Sequence, residues 1–282
     1  MNYIKKGDIV GRKSYNKDII FTVKNIIKTK RNNIAILKGI TKRIEVDSNI
    51  DDLEIIEKKD IKKNFAELDN ELQKRIEKIN REDDNYRIGI FTKDNRAQEK
   101  IITGKILHLD GDRKYSEKSC RYYRKIGLNA VVRNIPEYKQ PKVVYNLLEI
   151  YNPDILVITG HDGMIKRGTG YDDIYNYRNS RHFINTVKEA RRYDKDYGKN
   201  LVIFAGACQS YFEAIISAGA NFASSPARIL IDFLDPLIVA KNVAETDNMK
   251  YVTIDDFASE LRDGKNGVDG IGARGKKSII II

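Results

Sequence analysis

The sequence predicts an α/β protein: a doubly wound parallel sheet preceded by a small antiparallel β-barrel of SH3-like size. Three observations carry this. Residues 1–56 are short Ile- and Val-rich runs interrupted by Gly, Asn, Asp and Lys. Residues from about 100 to 250 alternate apolar strands with amphipathic helices, the rhythm of βαβ units. Two of those strands, 155–159 and 201–205, are apolar throughout, as strands covered on both faces are.

The barrel is read from "GDIVGRKSY", "DIIFTVKNIIKT", "NIAILKGI" and "KRIEVDS", with a hairpin turn at "KRNN", residues 30–33. About five strands fit in this span, and full closure of a small antiparallel sheet hides its edges. Residues 1–60 hold 14 basic and 9 acidic residues, too mild an excess for nucleic acid, so the barrel is expected to dock another protein. Residues 57–98 form a helical linker. Phe65, Leu68, Leu72, Ile76 and Ile79 recur at spacings of three and four, which puts them on one helix face, and "REDDNYR" follows as an exposed joint. Residues 99–250 are the α/β domain. In order they give the strand "GKILHLDGD", the helix "SEKSCRYYRKIG", the strand "NAVVRNI" and the helix "PKVVYNLLEIYN", with Pro141 where a missing N–H costs nothing. The strand "DILVITGHDG", the helix "SRHFINTVKEARRYD", the strand "NLVIFAGACQS" and the helix "YFEAIISAG" follow, then "NFASSP" and "RILIDFLDPLIVAKNVAE". Residues 251–282, with "DGKNGVDGIGARGKKS", read as a Gly- and Lys-rich segment and tail, the closing "IIII" being an edge strand or a loose end.

Composition narrows the function. The chain has 282 residues, 41% of them hydrophobic, enough for a sizeable core. No window approaches 18 uninterrupted apolar residues, so no membrane-spanning helix is expected. The first ten residues carry no apolar signal-peptide core, and the expectation is a protein that stays inside the cell. Two cysteines, Cys120 and Cys208, make neither a disulfide framework nor a four-ligand zinc site. The net charge of +11 favours anionic partners. Without an aromatic-interleaved basic stripe it reads as Lys-based solubility rather than nucleic-acid binding.

In open parallel sheets ligands bind at the carboxyl ends of strands. Two strands end in reactive residues: "ILVITGHDG" delivers His161 and "LVIFAGACQS" delivers Cys208. They are 47 positions apart, one helix-containing crossover. A thiol beside an imidazole becomes a nucleophile, and a helix starting near Gln209 would lower its pKa further. Caspases place a His about 50 residues before a Cys that follows Ala, and "TGHDG … GACQS" resembles that caspase-like arrangement. It departs from it in Asp162, which intervenes before Gly163. The oxyanion donor is therefore expected at the backbone of Asp162 or Gly163, paired with the Cys208 N–H.

Longer stretches, "GDIVGRKSYNKDIIF", "LHLDGD", "PDILVITGHDG", "YRNSRHFINTVKEAR", "LVIFAGACQSYFEAIISAGANFASSP" and "LDPLIVAKNVAET", together resemble the YabG family of sporulation-specific proteases of spore-forming bacteria. The resemblance implies a cysteine protease with His161 and Cys208 as its dyad. It also implies work inside the cell, in the mother cell and developing spore, on coat and cortex-related proteins, with cutting at Arg.

Other residues compete for roles. Cys208 alone would read as a small buried hydrophobe, and Cys120 is expected to be inert on a core-facing helix. His182 reads as structural and His108 as packed inside its strand. Asp110 and Asp112 allow three readings: a Mg²⁺ site, an acidic pocket for a substrate Arg, or a cap on the following helix. Asp172 and Asp173 are rival pocket residues, and Ser224 and Ser225 are candidates for a substrate-binding edge. The sequence calls for no metal and no organic cofactor. Protein substrates are the expected partners, and self-cleavage at Arg or Lys sites such as "GARGKK" is a further expectation. The alternatives are a non-enzymatic spore-coat scaffold and a Mg²⁺-dependent phosphatase or receiver-like domain built on Asp110 and Asp112.

Overall fold

The computed structural model describes residues 3–29, 32–90, 99–165 and 170–281. Five short strands come first: β1 (Ile9–Arg12), β2 (Phe21–Lys28), β3 (Asn33–Gly39), β4 (Glu45–Asn49) and β5 (Leu53–Ile55). They form one antiparallel sheet in the order β4-β3-β2-β1-β5. Its apolar core gathers Val10, Phe21, Val23, Ala35, Leu37, Ile44 and Leu53. Lys30 and Arg31 of the expected turn lie outside the described residues, between β2 and β3, which pair from Phe21↔Gly39 to Lys28↔Asn33.

Helix α1 (Lys58–Ile90) follows. Leu72 and Ile76 of its apolar face are buried on the α/β body beside Tyr122 and Phe233. Residues 81–87, expected as an exposed joint, continue this helix; their charged composition is compatible with a solvated helix as well as with a loop. The remainder of the expected linker, residues 91–98, lies outside the described residues.

The α/β part runs β6 (Glu99–Ile102), β7 (Ile106–Asp110), α2 (Arg113–Lys125), β8 (Ala130–Asn134), α3 (Gln140–Tyr151), β9 (Ile155–Thr159), α4 (Ser180–Tyr197), β10 (Val202–Ala205), α5 (Phe212–Ser217), β11 (Phe222–Ser224) and α6 (Asp235–Glu245). Then come β12 (Tyr251–Val252), β13 (Val268–Gly270), β14 (Ala273–Arg274) and β15 (Ser278–Ile281). The six-stranded sheet has the order β13-β11-β10-β9-β7-β8. All its pairings are parallel except β11 with β13. Side chains alternate between its faces. Ile106, Ile155, Val157, Val202 and Phe204 meet α2 and α6 on one side. Leu107, Leu109, Leu156, Ile158 and Ile203 meet α3 and α4 on the other.

Residues 251–281, expected as a Gly- and Lys-rich segment and tail, are built into this body, and of the two readings of the closing Ile run the strand is the one found. Val252, Ile254, Phe257, Leu261 and Val268 join its core, β13 extends the main sheet, and β15 pairs with β6 from Ser278↔Ile102 to Ile281↔Glu99. These strands are two to four residues long, too short for a period-2 pattern to stand out of a Gly-rich run. Among the described residues no helix is long and apolar enough to cross a membrane.

Candidate active site

The chain leaves β7 for β8 on one side, then returns to place β9 on the other. This reversal makes the carboxyl ends of β7 and β9 the crevice where open α/β sheets take ligands. Asp110 ends β7, His161 lies two residues beyond β9, and Cys208 lies three beyond β10. The β9–β10 register pairs Ile155 with Val202 and Ile158 with Ala205, a constant offset of 47. His161 and Cys208 share that offset, so the ladder aims them at the same level of one edge.

The side chains are not joined there. The Cys208 thiol is fully buried among residues of the first sheet and Ile231, with Sγ 3.9 Å from the Ile231 carbonyl. Burial pushes its pKa up to about 11. The helix after it starts only at Phe212 and has six residues, so the expected lowering of the thiol by a helix end at Gln209 does not occur. His161 Nε2 donates to the Gly39 carbonyl of the first sheet at 3.0 Å. Its Nδ1 has no hydrogen-bond partner among the described residues and lies 4.0 Å from Glu137 Oε1. Burial, reinforced by Lys38, holds the imidazole down to about 4. The Tyr115 ring stands edge-on to it at 6.0 Å.

Glu137, which no sequence motif marks, accepts the His161 backbone N–H at 2.8 Å. Its carboxylate fits between Gly111 and Gly160, where a Cβ would come within 2.2 and 2.5 Å of Oε1. Burial raises its pKa.

The Asp162 carboxylate ties the edge together, which accounts for an acidic residue after the His. It accepts the N–H groups of Gly163 (2.9 Å) and Asn179 (2.7 Å) and the hydroxyls of Ser180 (2.5 Å) and Ser210 (2.9 Å). Burial nevertheless pushes it up to about 6. With the Gly163 N–H engaged on this carboxylate, the Asp162 N–H is the one aimed across the edge; it donates to the Arg43 carbonyl at 3.3 Å. Gly163 permits the first sheet to come this close, since a Cβ there would lie 2.2 Å from the Glu45 carbonyl oxygen.

Asp110 and Asp112 do not converge. Asp112 caps α2 through Lys114 N–H (2.9 Å) and Tyr115 N–H (3.3 Å) and pairs with Lys38 at 2.8 Å. Burial opposes its charge, but Lys38 and the helix-end hydrogen bonds outweigh it and lower its pKa. Asp110 is fully buried. It accepts the Asp112 N–H at 2.7 Å and the Thr159 hydroxyl at 2.8 Å, and its Oδ2 lies 2.9 Å from Arg43 Nη2. Asp172 and Asp173 sit on an exposed loop, where Asp173 caps a short turn through the Tyr175 N–H at 2.9 Å. Ser224 and Ser225 brace the cysteine turn, Ser224 Oγ donating to the Ala207 carbonyl at 3.0 Å and Ser225 Oγ accepting the Gln209 N–H at 3.0 Å. Cys120 is only half-buried on α2, with Arg124 donating to its sulfur at 3.8 Å, rather than core-facing. Among the described residues no three His, Cys, Asp or Glu side chains are grouped to hold a metal ion.

The model of the YabG peptidase U57 family matches residues 5–281 of the chain. The sporulation-specific protease YabG of Bacillus subtilis (strain 168) is 40% identical over 278 residues, 95% of this chain and 94% of that protein. No solved structure is matched.

Proposed function

The chain belongs to the YabG peptidase U57 family, and from that premise we propose that it is a sporulation protease of the cysteine type, with Cys208 as nucleophile and His161 as its acid and base. The observation that supports this most directly is the register: the 47-residue offset of β9 and β10 is also the offset of His161 and Cys208. On this reading the arrangement is caspase-like. Cys208 adds to the scissile carbonyl of a protein substrate, His161 protonates the leaving amine, and His161 then takes a proton from the water that releases the acyl group. The N–H groups of Asp162 and Cys208 hold the oxyanion, preorganised donors being worth about 3 kcal/mol each to such a step. Glu137 orients the imidazole from behind.

Asp110 is the specificity residue of this reading. A buried carboxylate at the switch point forms charge-assisted bonds with a guanidinium, is left unpaired by an apolar side chain and repels an acidic one. Cutting at Arg follows. The natural substrates are taken to be coat and cortex-related proteins of the developing spore, with the small barrel, SH3-like in strand number, as a docking element.

A series of fluorogenic peptides carrying Arg, Lys, Gln or Leu at the cleaved position tests the reading. Wild type should cut the Arg peptide, be inactivated by iodoacetamide and ignore EDTA, while folded Cys208→Ala and His161→Ala should be inactive. Undiminished cutting by Cys208→Ala would overturn it.

A further inference from the structure

The candidate site takes up the carboxyl ends of the parallel strands, and the opposite ends of the same strands open on a cleft. Asp154 stands just before β9, Leu201 just before β10 and Asn221 just before β11. With residues of α4, β12 and β14 they line a space of about 760 Å³, within the range of sites that hold ligands. The five residues of β9 span about 17 Å, so this cleft is a surface separate from the edge that carries His161 and Cys208.

The way its carboxylates are used leaves the cleft one-sided in charge. Asp194 pairs with Arg191 at 2.8 Å and accepts the Leu201 N–H at 2.8 Å. Asp154 accepts the Lys105 N–H at 2.8 Å. Arg191 spends its other donors on the Gly219 and Leu201 carbonyls and the Asn221 side chain. Three further cations of the lining, Lys199, Arg274 and Lys276, make no salt bridge among the described residues. Lys199 and Arg274 are exposed. Lys276 is half-buried, with Nζ donating to the Asn200 carbonyl at 2.7 Å. Burial lowers its pKa although Asp154 and Asp194 raise it, the mark of an ammonium short of both water and a counter-ion. The same lining exposes two large apolar side chains, Tyr251 (59%) and Ile271 (62%). The Tyr251 hydroxyl is spent on the Ile271 carbonyl at 2.7 Å, so the ring has only its apolar surface to offer.

We propose that this cleft is an exosite for an acidic segment of a protein substrate, whose carboxylates pair with Lys199, Arg274 and Lys276 and whose apolar side chain lies on Tyr251 and Ile271. The proposal rests on the chain being a protease, and not on which residues cut. A peptide fits the cleft better than a nucleic acid does. Asp154 and Asp194 repel a continuous row of phosphates, and Tyr251 is the one aromatic ring among the described lining residues, where single strands are held by successive stacked rings. Strand β14, which contributes Ala273 and Arg274, is paired with β12 alone among the described residues, and a strand with an open edge accepts a further strand from a peptide. A substrate held here is tethered to the enzyme while its scissile bond is free to find the other end of the sheet. The tether raises the local concentration of that bond, so the exosite acts on KM and leaves the chemical step alone.

The test uses the full-length chain and a fluorescein-labelled peptide EEYEEYEE. Fluorescence anisotropy should show saturable binding that weakens with added salt and falls at least about tenfold in the double variant Lys199→Glu, Arg274→Glu. Both positions are exposed, so this variant should keep the wild-type circular dichroism and thermal midpoint. The neutral peptide SSYSSYSS and single-stranded oligothymidylate should not bind. An Arg fluorogenic peptide joined to EEYEEYEE by a Gly/Ser linker of about 40 residues, with an average reach of about 35 Å, should have a KM about tenfold below that of the untagged peptide and the same kcat. The double variant should lose that advantage and cut the untagged peptide at the wild-type rate. No binding of the acidic peptide by wild type, equal binding by the double variant, or oligothymidylate binding that the double variant loses would each overturn the inference. Acidic-peptide binding that depends on Lys199 and Arg274, in a chain that cuts no Arg peptide, would sustain the exosite and count against the proposed cutting site alone.

Discussion

His108 and His161 belong to adjoining strands of one sheet and both are shut off from solvent, yet the two places hold an imidazole in opposite ways. Inside β7, His108 is bonded at both nitrogens: Nε2 to the Thr159 hydroxyl oxygen at 2.7 Å, and Nδ1 to the Tyr123 hydroxyl at 3.3 Å. Beyond β9, His161 has one nitrogen on a carbonyl from the other sheet and the second on no partner among the described residues. The strand interior satisfies its polar groups from fixed neighbours, as buried groups generally are. The strand end leaves them to whichever segment crosses it. A partner supplied from outside the sheet can be exchanged, and exchange is what a site for arriving peptides requires.

The most severe test of that contrast is a pair of substitutions. His161→Ala should lower kcat/KM of the folded fraction for an Arg peptide by about 10³-fold, the range for loss of a general acid–base group, over and above any stability lost with the buried ring. His108→Ala should cost about 2–4 kcal/mol in denaturant unfolding, from the cavity and the orphaned Tyr123 hydroxyl, with the folded fraction still active. The opposite pattern would dissolve the distinction. Next is Asp110→Asn, which should cut the preference for Arg over Gln peptides by about 100-fold, close to the 2–3 kcal/mol of a charge-assisted bond, while Asp173→Asn leaves it unchanged.

Acid sharpens the comparison. An imidazole held near 4 when folded stays neutral on acidification while the unfolded chain, near 6.5, takes up the proton. The His161 contribution is therefore complete above about pH 6.5 and drains towards pH 4, for a total of about 3 kcal/mol. His108, also held well below its ordinary value by burial, acts in the same direction. Asp162, pushed up to about 6, opposes them by binding its proton first in the folded chain between about pH 6 and 4. Denaturant midpoints should fall from pH 7 to 4, more steeply in Asp162→Asn and less steeply in His108→Gln. The smallest effect is on Glu137→Gln, expected to lower kcat about tenfold with KM unchanged, the mark of a positioning group acting through His161. A change in KM alone would assign Glu137 to substrate binding instead.

Much of the sheet was legible because its signals are local. Apolar runs at 155–159 and 201–205 announce covered strands, and one helix-containing crossover between His161 and Cys208 is consistent with the pairing of β9 with β10. Asp112 as a helix cap is readable from an acidic residue just before the α2 pattern. What stayed hidden depends on distance along the chain. Arg43 meets Asp110 across 67 residues and two sheets, and nothing in "ITKRIEV" distinguishes it from the neighbouring Lys42. Glu137 sits in "NIPEY", a turn with no catalytic spacing. The short strands β12 to β14 are hidden because pairing, not side-chain pattern, makes them strands.

The pairing of Ile44 with Asp162 also makes the two sheets one mechanical unit. Both the N–H and the carbonyl of Asp162 are spent on Arg43 and Glu45, so the edge that carries His161 cannot loosen unless the first sheet loosens with it.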